Sequence, residues 1–522
     1  MSMTWLANVE KSTAWVHHTW NDFAALPDKA RYVAILPVHG FADHGMGLPL
    51  DAEETISSEI LRRAVVASIP TIGLRVLPPL RFALAPLKST LFGVDPETAH
   101  DLIHEIATSV HAAGFKKLVF LSTSPWNEEL IDAASRDTRV SLGLQTFVVN
   151  LSGLGLNFHP AANDRPKLQA IGSYLLGKPS GPVTRPADVS DVTFRPGNWK
   201  HAGPVAVDAS LDGEALLAAA GSHLARLISE IDAKAPLGRA TLDPAPVAAT
   251  RAPLAPGGSI SPGHSAARLW PDYRERYLPS LTGEELEAWP NKESTLVILP
   301  TGAIEQHGYH LPVGVDSILG QAWLNTALPK LAAGTRVLVA PAITYGKSNE
   351  HVGFPGTVFI SAKSLRRLLL AQAAQLHALG FRTIGILNTH GGNSAVIVYT
   401  LREIQATLGM RAGMITGGYT PPLSDVEREF GFHAGEWETA LMMAATEGIV
   451  QTHRSVCEYP ARPEDPGELR PENAPAIFSW ISSDISRSGT MGDATAATIE
   501  KGERWIEEGA TALAKRITAL AT

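Results

Sequence analysis

The stretch AIEQHGYHLPVGVD (303–316) follows the apolar run STLVILPTG and carries two histidines, a glutamate and an aspartate. Glu305 and His307 are two positions apart, so an extended strand end would place both side chains on one face. The turn residues that follow then bring Asp316 back toward them. Such a set suits Zn²⁺, Mn²⁺ or Fe²⁺, and a carboxylate can bridge two ions. A loop that is polar by chance explains the stretch equally well.

A second cluster, LNTHGGNS (387–394), is another apolar run that leads into a histidine and two glycines. Glycines let the backbone approach a ligand closely, and His390 at the carboxyl end of a strand can complete a ligand set. The alternative is a capping turn in which Asn393 or Ser394 begins the next helix. The two interpretations are compatible with each other.

The third cluster, FHAGEWETALMMA (432–444), places His433 just before a helical apolar pattern. Glu436 and Glu438 are two positions apart, so on a helix they cannot share a face. At most one of them is expected to point at a site. The other is predicted to be a solvated glutamate of the first turn, where the helix dipole favours negative charge.

The elements that must position these clusters are predicted by an internal repeat. HAAGFKKLVFLST (111–123) lines up with HALGFRTIGILNT (377–389), and LPVHGFADHGMGLP (36–49) lines up with LPTGAIEQHGYHLP (299–312). In both halves apolar runs alternate with helical patterns, which predicts parallel α/β units whose ligands lie beyond the carboxyl ends of the strands. We predict two α/β domains that descend from one.

The domain boundaries follow from a change of composition. ATRAPLAPGGSISPGHSAA (249–267) is rich in Pro, Gly, Ala and Ser and has no apolar period, which is typical of a linker. We predict a first domain at 1–245, a linker at 246–267 and a second domain at 268–522.

Composition limits the class of protein. The 522 residues exceed one ordinary core, and 52 acidic against 44 basic residues give a net charge of −8. Without a basic cluster, nucleic acid and membrane surfaces are not expected as partners. No apolar run is long enough to span a membrane, the first residues do not resemble a signal peptide, and the single cysteine excludes intrachain disulfides. We expect a cytoplasmic protein.

Taken together, the motifs of the second half resemble the creatininase (creatinine amidohydrolase) family. The matching segments are EQHGYHLP with Asp316, EHVGFPGT (350–357), NTHGGN and HAGEWET, and GDATAATIEKGERW (492–505) resembles the C-terminal helix of the family. The resemblance runs from about residue 270 to the end. It implies three-layer α/β domains with mostly parallel sheets and a dinuclear site for divalent ions, two per chain, of Zn, Mn or Fe.

The resemblance also implies a role for each ligand. Glu305 and His390 would ligate one ion, and Asp316 would bridge to the second. His307 and Glu438 would contribute mainly to that second ion. Two divalent ions about 3.5–4 Å apart can lower the pKa of a shared water and polarise an amide carbonyl.

By the same resemblance His433 would be the proton-transferring histidine, since an amide nitrogen leaves only after it gains a proton. One position departs from creatininase itself, where a glutamate ligand stands in place of Gly392. Family members with HGGN, as here, are thought to act on other amides, including formylated amines and peptide ends. Creatinine is therefore not the expected substrate.

Four further residues are predicted to contact substrate or to support the ligands. His310 is expected to hydrogen-bond the carboxylate of a metal ligand. Glu350 and His351 either contact substrate or hold their loop in place. Asn393 follows the second glycine of its motif and joins this group.

In the first half the equivalent positions have changed. Ala42 stands for Glu305 and Ser124 stands for His390, while His44 and Glu53 keep ligand chemistry. Two ligand types cannot hold two ions, so this half is predicted to be a degenerate copy, a pseudo-enzyme domain. Because the family assembles into rings whose subunits wall each other's pockets, this half either supplies such a wall or only covers the active half, and its aromatic N-terminus is a candidate for reaching across.

The predicted function is a metal-dependent amidohydrolase that cleaves a non-peptide C–N bond of a small amide, such as a cyclic amide or a formamide, with a metal-activated water. A metallopeptidase that trims a short peptide is one alternative, and a non-catalytic metal-binding assembly protein is another. The expected partners are a small-molecule amide substrate and further copies of the chain in a homo-oligomer.

Overall fold

Two parallel sheets organise the chain, one in each half. The computed structural model describes residues 9–69, 71–84, 90–159, 162–177, 210–235, 271–416, 418–460, 464, 469–472 and 476–521. The predicted linker at 246–267 lies outside the described residues, so the predicted boundaries remain predictions. No helix among the described ranges has the length and apolar character needed to cross a membrane.

The strands of the two sheets have equivalent orders. The first sheet contains Val33–His39 (β1), Leu74–Val76 (β2), Leu80–Arg81 (β3), Lys117–Ser122 (β4) and Gln145–Asn150 (β5). The second contains Leu296–Thr301 (β6), Val337–Val339 (β7), Thr383–Asn388 (β8) and Arg411–Ile415 (β9). Their orders are β2-β1-β4-β5, with β3 also beside β1, and β7-β6-β8-β9. Further two-residue strands are Phe41–Ala42, Ala83–Leu84, Thr90–Leu91, Gly93–Val94, Cys457–Glu458, Leu469–Arg470, Ala476–Ile477 and Gly492–Asp493.

The strand register confirms the repeat that the sequence predicts. Val33 of β1 is level with Lys117 of β4, and Leu296 of β6 is level with Thr383 of β8. These pairs are equivalent positions in the alignment of the two halves. The central strands β1, β4 and β6 are buried along their whole length, as expected for parallel strands covered on both faces.

Helices cover both faces of each sheet. The first half contains Trp20–Ala25 (α1), Ala52–Ser68 (α2), Pro96–Ala112 (α3), Glu128–Leu142 (α4), Arg165–Leu176 (α5) and Gly213–Ala233 (α6). The second contains Gly283–Glu287 (α7), Val315–Ala327 (α8), Ala362–Ala378 (α9), Ser394–Leu408 (α10), Asp425–Phe430 (α11), Glu436–Ala445 (α12), Ser482–Ile485 (α13) and Ile499–Leu520 (α14). The predicted three-layer α/β fold is confirmed in both halves.

One hydrophobic core joins the halves. It contains Leu102 and Ile106 of α3 together with Leu365 and Leu368 of α9, all buried. Burying one such side chain contributes about 1.5–3 kcal/mol. Around this core Arg367 pairs with Asp95 and Asp101, and Lys363 also pairs with Asp101. The two halves therefore meet through equivalent helices.

Each half also sends a segment across the other. We call residues 14–25 the first arm and residues 277–288 the second arm. The hydrogen bonds that hold them are Val313 N to His18 O (2.8 Å), Gly314 N to Val16 O (3.2 Å), Leu50 N to Leu281 O (2.9 Å) and Asp51 N to Pro279 O (2.9 Å). The second pair of bonds repeats the first at equivalent positions, so the halves are related as in an isologous dimer.

A short capped helix lies in each arm. In α1 the capping box is formed by Thr19 and Asp22, and in α7 it is formed by Thr282 and Glu285. Each box satisfies two backbone donors at the start of its helix. The arms thus share local structure as well as position.

Candidate metal centre

The first cluster lies in a loop beyond β6. Glu305 and His307 were expected at an extended strand end, but β6 ends at Thr301, so this prediction is wrong in detail. The loop is folded back by a hydrogen bond from Glu305 N to Val313 O (2.9 Å). Gly308 has a φ of +70°, and a Cβ there would lie 2.3 Å from Thr490 Oγ1, so glycine is required.

Asp316, in the first turn of α8, has one carboxylate oxygen near each of two histidines. Its Oδ1 lies 3.5 Å from His307 Nε2, and its Oδ2 lies 3.6 Å from His390 Nδ1. Glu305 Oε2 is 3.2 Å from His390 Nδ1, and Glu438 Oε2 is 3.8 Å from His307 Nε2. The structure thus brings the five predicted ligands together in two sets around Asp316.

These donor atoms fit divalent cations. Glu305 Oε2, His307 Nε2 and Asp316 Oδ2 are buried, and none of the three has a hydrogen-bond partner among the described residues. Leaving a buried polar atom unpaired costs about 1–3 kcal/mol, and more for a charged group. Each of these three residues belongs to a group of possible cation ligands, and their carboxylate and imidazole chemistry suits Zn²⁺, Mn²⁺ or Fe²⁺.

The electrostatics of the cluster are those of crowded buried charges. Burial and the nearby carboxylate of Asp316 raise the pKa of Glu305 to about 7, although the positive charge of His390 opposes this. Burial lowers the pKa of His307, but the carboxylates of Asp316 and Glu438 outweigh it and raise that pKa to about 9. Bound cations would relieve the repulsion between the carboxylates and would reverse the directions of these pKa shifts.

His433 lies beside the carboxylate of Glu305. Its Nε2 donates a hydrogen bond to Gln306 O (2.8 Å), and its Nδ1 is 3.7 Å from Glu305 Oε1. Burial, followed by the positive charges of His307 and His351, lowers the pKa of His433 well below its usual value. The next residue, Ala434, has a φ of +54°, a strained backbone of the kind often found at functional sites. The neutral ring can accept a proton through Nδ1.

Comparison with known proteins identifies the family. A family model described as Creatininase: Creatinine amidohydrolase matches residues 16–228 and 279–517. A mycofactocin precursor peptide peptidase of Mycolicibacterium smegmatis is 30% identical over 249 residues, which cover 47% of this chain and 93% of that protein. The chain belongs to the creatininase family. Both halves match, which confirms the tandem arrangement predicted from the repeat.

Other creatininase-family proteins are similar over one half of the chain. The creatinine amidohydrolase of Pseudomonas putida is 29% identical over 253 residues, covering 44% of this chain and 92% of that protein. A solved structure named Creatininase Mn covers 46% of this chain and 96% of its own, with 26% identity and a TM-score of 0.38. The prediction of a hydrolase that acts on carbon–nitrogen bonds is confirmed by membership in the family.

The sequence left the role of His351 open, and the structure places this residue at the ligand cluster. Its Nε2 lies 3.3 Å from Glu305 Oε1, and its Nδ1 accepts a hydrogen bond from Ser482 Oγ (2.8 Å). It forms a third group of possible ligands with Glu305 and His433. The signal was present in the EHVGFPGT motif, but nothing in the motif shows that the loop returns to Glu305.

Two predicted support residues have other partners. His310 was expected to bond the carboxylate of a ligand, but its Nε2 is 2.7 Å from Thr439 Oγ1, so this prediction is wrong. Asn393 immediately precedes α10 but makes no side-chain cap bond. Its Oδ1 accepts from Lys347 N (2.8 Å), and Asn127 of the degenerate half accepts from Leu84 N in the same way. A bond kept in both halves indicates a structural role for Asn393.

The two glutamates of the third cluster do diverge as expected. Glu438 faces the site, whereas Glu436 points away from it. Glu436 is not solvated, however: it is buried, and its carboxylate accepts from Lys501 Nζ at 2.5 Å. The prediction of a solvated first-turn glutamate is therefore wrong, because α14 covers that face of α12.

A pocket of about 550 Å³ opens onto the cluster. It is lined by Glu305, Asp316, Lys347, Glu350, His351, Thr389, His390, Gly391, Gly392, Phe432, His433, Glu438, Pro471, Glu472, Ile477, Phe478, Ser479 and Trp480. These lining residues all belong to the second half, so the described part of the first half does not wall the pocket. The sequence did not point to the apolar rim around Trp480, which packs on Phe432 with ring centroids 5.8 Å apart.

Glu350 reaches this pocket from the loop before α9. Its Oε2 is 2.7 Å from Lys347 Nζ, and its Oε1 is 3.5 Å from His390 Nε2. Burial raises its pKa, but the hydrogen bonds with His390 and Lys347 outweigh this and lower the pKa to about 2. The side chain is therefore a carboxylate beside the ligand set.

Proposed function

We propose that the chain is a dinuclear metal-dependent amidohydrolase whose second half carries the active site. The observation that supports this most directly is the shared carboxylate of Asp316, with one oxygen 3.5 Å from His307 and the other 3.6 Å from His390. A single bridging carboxylate between two donor sets is the arrangement that a two-ion hydrolase needs.

Two sets of residues would hold the ions. Glu305, Asp316 and His390 form one set, and His307, Glu438 and Asp316 form the other. When bound there, the ions would supply a water of lowered pKa and a polarised amide carbonyl.

The chain's own groups handle the proton and exclude solvent. His433 is held by Gln306 O with its Nδ1 toward Glu305, so it is placed to pass a proton to the leaving nitrogen. Glu305 and His307 are almost entirely buried, which strengthens every electrostatic interaction with a bound amide.

We further propose that the substrate is a small amide, cleaved at a non-peptide C–N bond such as that of a cyclic amide or formamide, with an apolar group against the rim. The support is the rim itself, where Phe432 packs on Trp480 and Phe478 remains 39% exposed. A screen of amides in pairs with and without an aromatic substituent tests this. Turnover of the aromatic member is expected, and equal failure of every amide with fully metal-loaded protein would contradict the proposal.

A second candidate is hydrolysis at the end of a short peptide. A pocket of about 550 Å³ has room for more than a small ring compound, and one relative is named a peptide peptidase. The same screen, extended to short peptides with apolar ends, separates the two candidates. Cleavage confined to peptides would replace the first proposal by this one.

A further inference from the structure

Gly392 is glycine because Glu350 occupies the space of its missing side chain. A Cβ at position 392 would lie 1.9 Å from Glu350 Oε1 and 2.5 Å from His390 Nε2. It would also lie 2.7 Å from Lys347 O. Contacts this short do not occur, so any side chain at 392 would displace the carboxylate or the imidazole. The carboxylate of Glu350 thus lies beside the imidazole of His390, in space that a side chain at 392 would need.

The ring of His390 is oriented by two acceptors. Its Nε2 is 3.0 Å from Lys347 O and 3.5 Å from Glu350 Oε1. Because a carbonyl and a carboxylate can only accept, Nε2 must carry a proton. Nδ1 then faces Glu305 Oε2 at 3.2 Å and presents its lone pair to the metal side.

Glu350 is itself held in place. Lys347 Nζ donates to its Oε2 at 2.7 Å, and the backbone of Lys347 donates to Asn393 Oδ1 at 2.8 Å. The carboxylate therefore has a fixed direction when it meets the ring of His390. A ligating histidine whose second nitrogen donates to a carboxylate binds metal more tightly, because its tautomer is fixed and its basicity is raised.

We propose that Glu350 is a positioning residue that fixes His390 for metal binding, and that Gly392 is the residue that makes room for it. This inference rests on the dinuclear centre of the proposed function. It adds a residue that acts through His390 and requires no contact with substrate.

The first experiment measures zinc affinity by chelator competition in the wild type and in Glu350→Ala. We expect one of the two ions to bind about 10–100-fold more weakly in the variant, the range found for such supporting carboxylates. Glu350→Gln keeps the shape and removes the charge, so we expect a smaller loss. Glu436→Gln is the matched control, since it removes a buried glutamate charge that faces Lys501 rather than the pocket.

The second experiment introduces a carboxylate at position 392. In the double variant Glu350→Ala/Gly392→Asp, the Cβ at position 392 would still lie 2.5 Å from His390 Nε2 and 2.7 Å from Lys347 O, so we expect zinc affinity to stay below that of Glu350→Ala. Gly392→Asp alone clashes with Glu350 and is expected to weaken binding. In zinc-loaded protein with ¹⁵N-labelled histidine, the His390 signals of the wild type should show zinc on Nδ1 and a proton on Nε2, and in Glu350→Ala the Nε2–H signal should shift because it loses one of its two acceptors.

The outcomes are distinct for the two proposals. A wild type that binds no zinc would overturn the metal centre and this inference with it. A wild type that binds two ions, with Glu350→Ala and Glu350→Gln binding both equally well and leaving the His390 signals unchanged, would overturn the role of Glu350 alone.

Discussion

The carboxyl edges of the two sheets carry equivalent residues in opposite states. In the second half, Asp316 Oδ2 is buried without a hydrogen-bond partner among the described residues. In the first half, Glu53 stands at the equivalent position, and its carboxylate is 2.9 Å from His44 Nε2. It also accepts from Gly40 N (2.9 Å) and Thr123 Oγ1 (2.8 Å). The carboxylate of Glu53 is thus hydrogen-bonded within the fold, whereas Asp316 Oδ2 remains available to a ligand.

This difference shows that a binding site leaves buried polar atoms without the hydrogen bonds that would stabilise the fold. Unpaired buried donors and acceptors destabilise a protein, and such violations of ordinary packing rules concentrate at functional sites. The first half has closed its edge with internal bonds, including the buried pair of Arg81 and Glu54 at 2.6 Å. At the equivalent positions the second half has the neutral residues Thr344 and Ser317. The carboxylate of Glu53 is therefore better satisfied within the fold than that of Asp316.

The largest difference is expected between substitutions of the two equivalent acidic residues, Asp316 and Glu53. Asp316→Ala should lose both ions and lower kcat/KM by more than the roughly 100-fold typical of supporting residues, because both ligand sets share it. Glu53→Gln keeps most of its hydrogen bonds and should leave ion content and kcat/KM within about twofold of wild type. Metal analysis and kinetics check both, and a loss of ions in Glu53→Gln would contradict the assignment of one active half.

The next largest effect, on the free energy of unfolding, is expected when the ion pair of Arg81 and Glu54 is broken. Arg81→Met leaves Glu54 buried without its partner, which costs about 3–5 kcal/mol at pH 7. In the wild type, burial raises the pKa of Glu54, but Arg81 outweighs it and leaves the pKa lowered. This lowered pKa increases the free energy of unfolding at pH values above the pKa of the unfolded chain. The increase is lost as the pH falls through the pKa of the folded protein.

The sign of the pH effect follows. In Arg81→Met the unpaired carboxyl has a raised pKa, so the difference from wild type should grow between pH 4 and pH 7. Urea unfolding at both pH values measures it. Thr344→Val is the control in the second half, and because the Thr344 hydroxyl has no partner among the described residues, we expect a change below about 1 kcal/mol. A difference independent of pH would argue against the ion pair.

A substitution of Trp20 tests whether the first arm supports the proposed active site of the second half. Its ring lies against Tyr309 and Phe354, at centroid distances of 5.2 and 5.1 Å, and its Nε1 donates to Ser488 O (2.9 Å). Trp20→Ala should loosen the loops behind the ligands and lower kcat/KM about 10-fold, because small misplacements at a site are costly. Ion content per chain should stay at the wild-type value. Unchanged kinetics would limit the arm to a role in stability.

The smallest effect is expected in a comparison of the two capping boxes, where one side chain of each is removed and the loss of stability is measured. Asp22→Ala should cost about 2 kcal/mol, because Asp22 caps α1 and also accepts from Gln451 (2.8 Å) and lies 3.3 Å from Arg454. Glu285→Ala removes only the equivalent cap of α7 and should cost about 1 kcal/mol. Thermal unfolding of the two variants side by side gives the difference. Equal losses would mean that the bonds to Gln451 and Arg454 contribute nothing.

The sequence predicted the sheets well and the loops less well. Apolar runs such as STLVILPTG become β6 because parallel strands covered by helices are buried along their length. Glu305, His307 and Asp316 were predicted to converge, and they do, although the local reason given for Glu305 and His307 was wrong. These residues converge because they follow strands that end at one edge of the sheet, and the apolar runs predict that edge. Strand geometry at positions 305 and 307 is not the reason.

What the sequence did not show depends on distant contacts. Glu436 is buried by Lys501, which lies on a helix far along the chain. His351 approaches Glu305 because its loop folds back over the sheet edge, and Glu350 meets His390 only because position 392 has no side chain. None of these contacts has a local pattern, so periodicity and turn residues cannot predict them.

The exchanged arms also explain how one copy was free to decay. In a symmetric homodimer, each substitution alters both subunits, so the loss of a ligand removes it from every site. Within one chain, each copy has the other at high effective concentration and can change alone. The first half has replaced its ligands while its arm still holds Val313 and Gly314. Fusion thus allows one copy to be retained for its contacts with the other, which keeps the full ligand set.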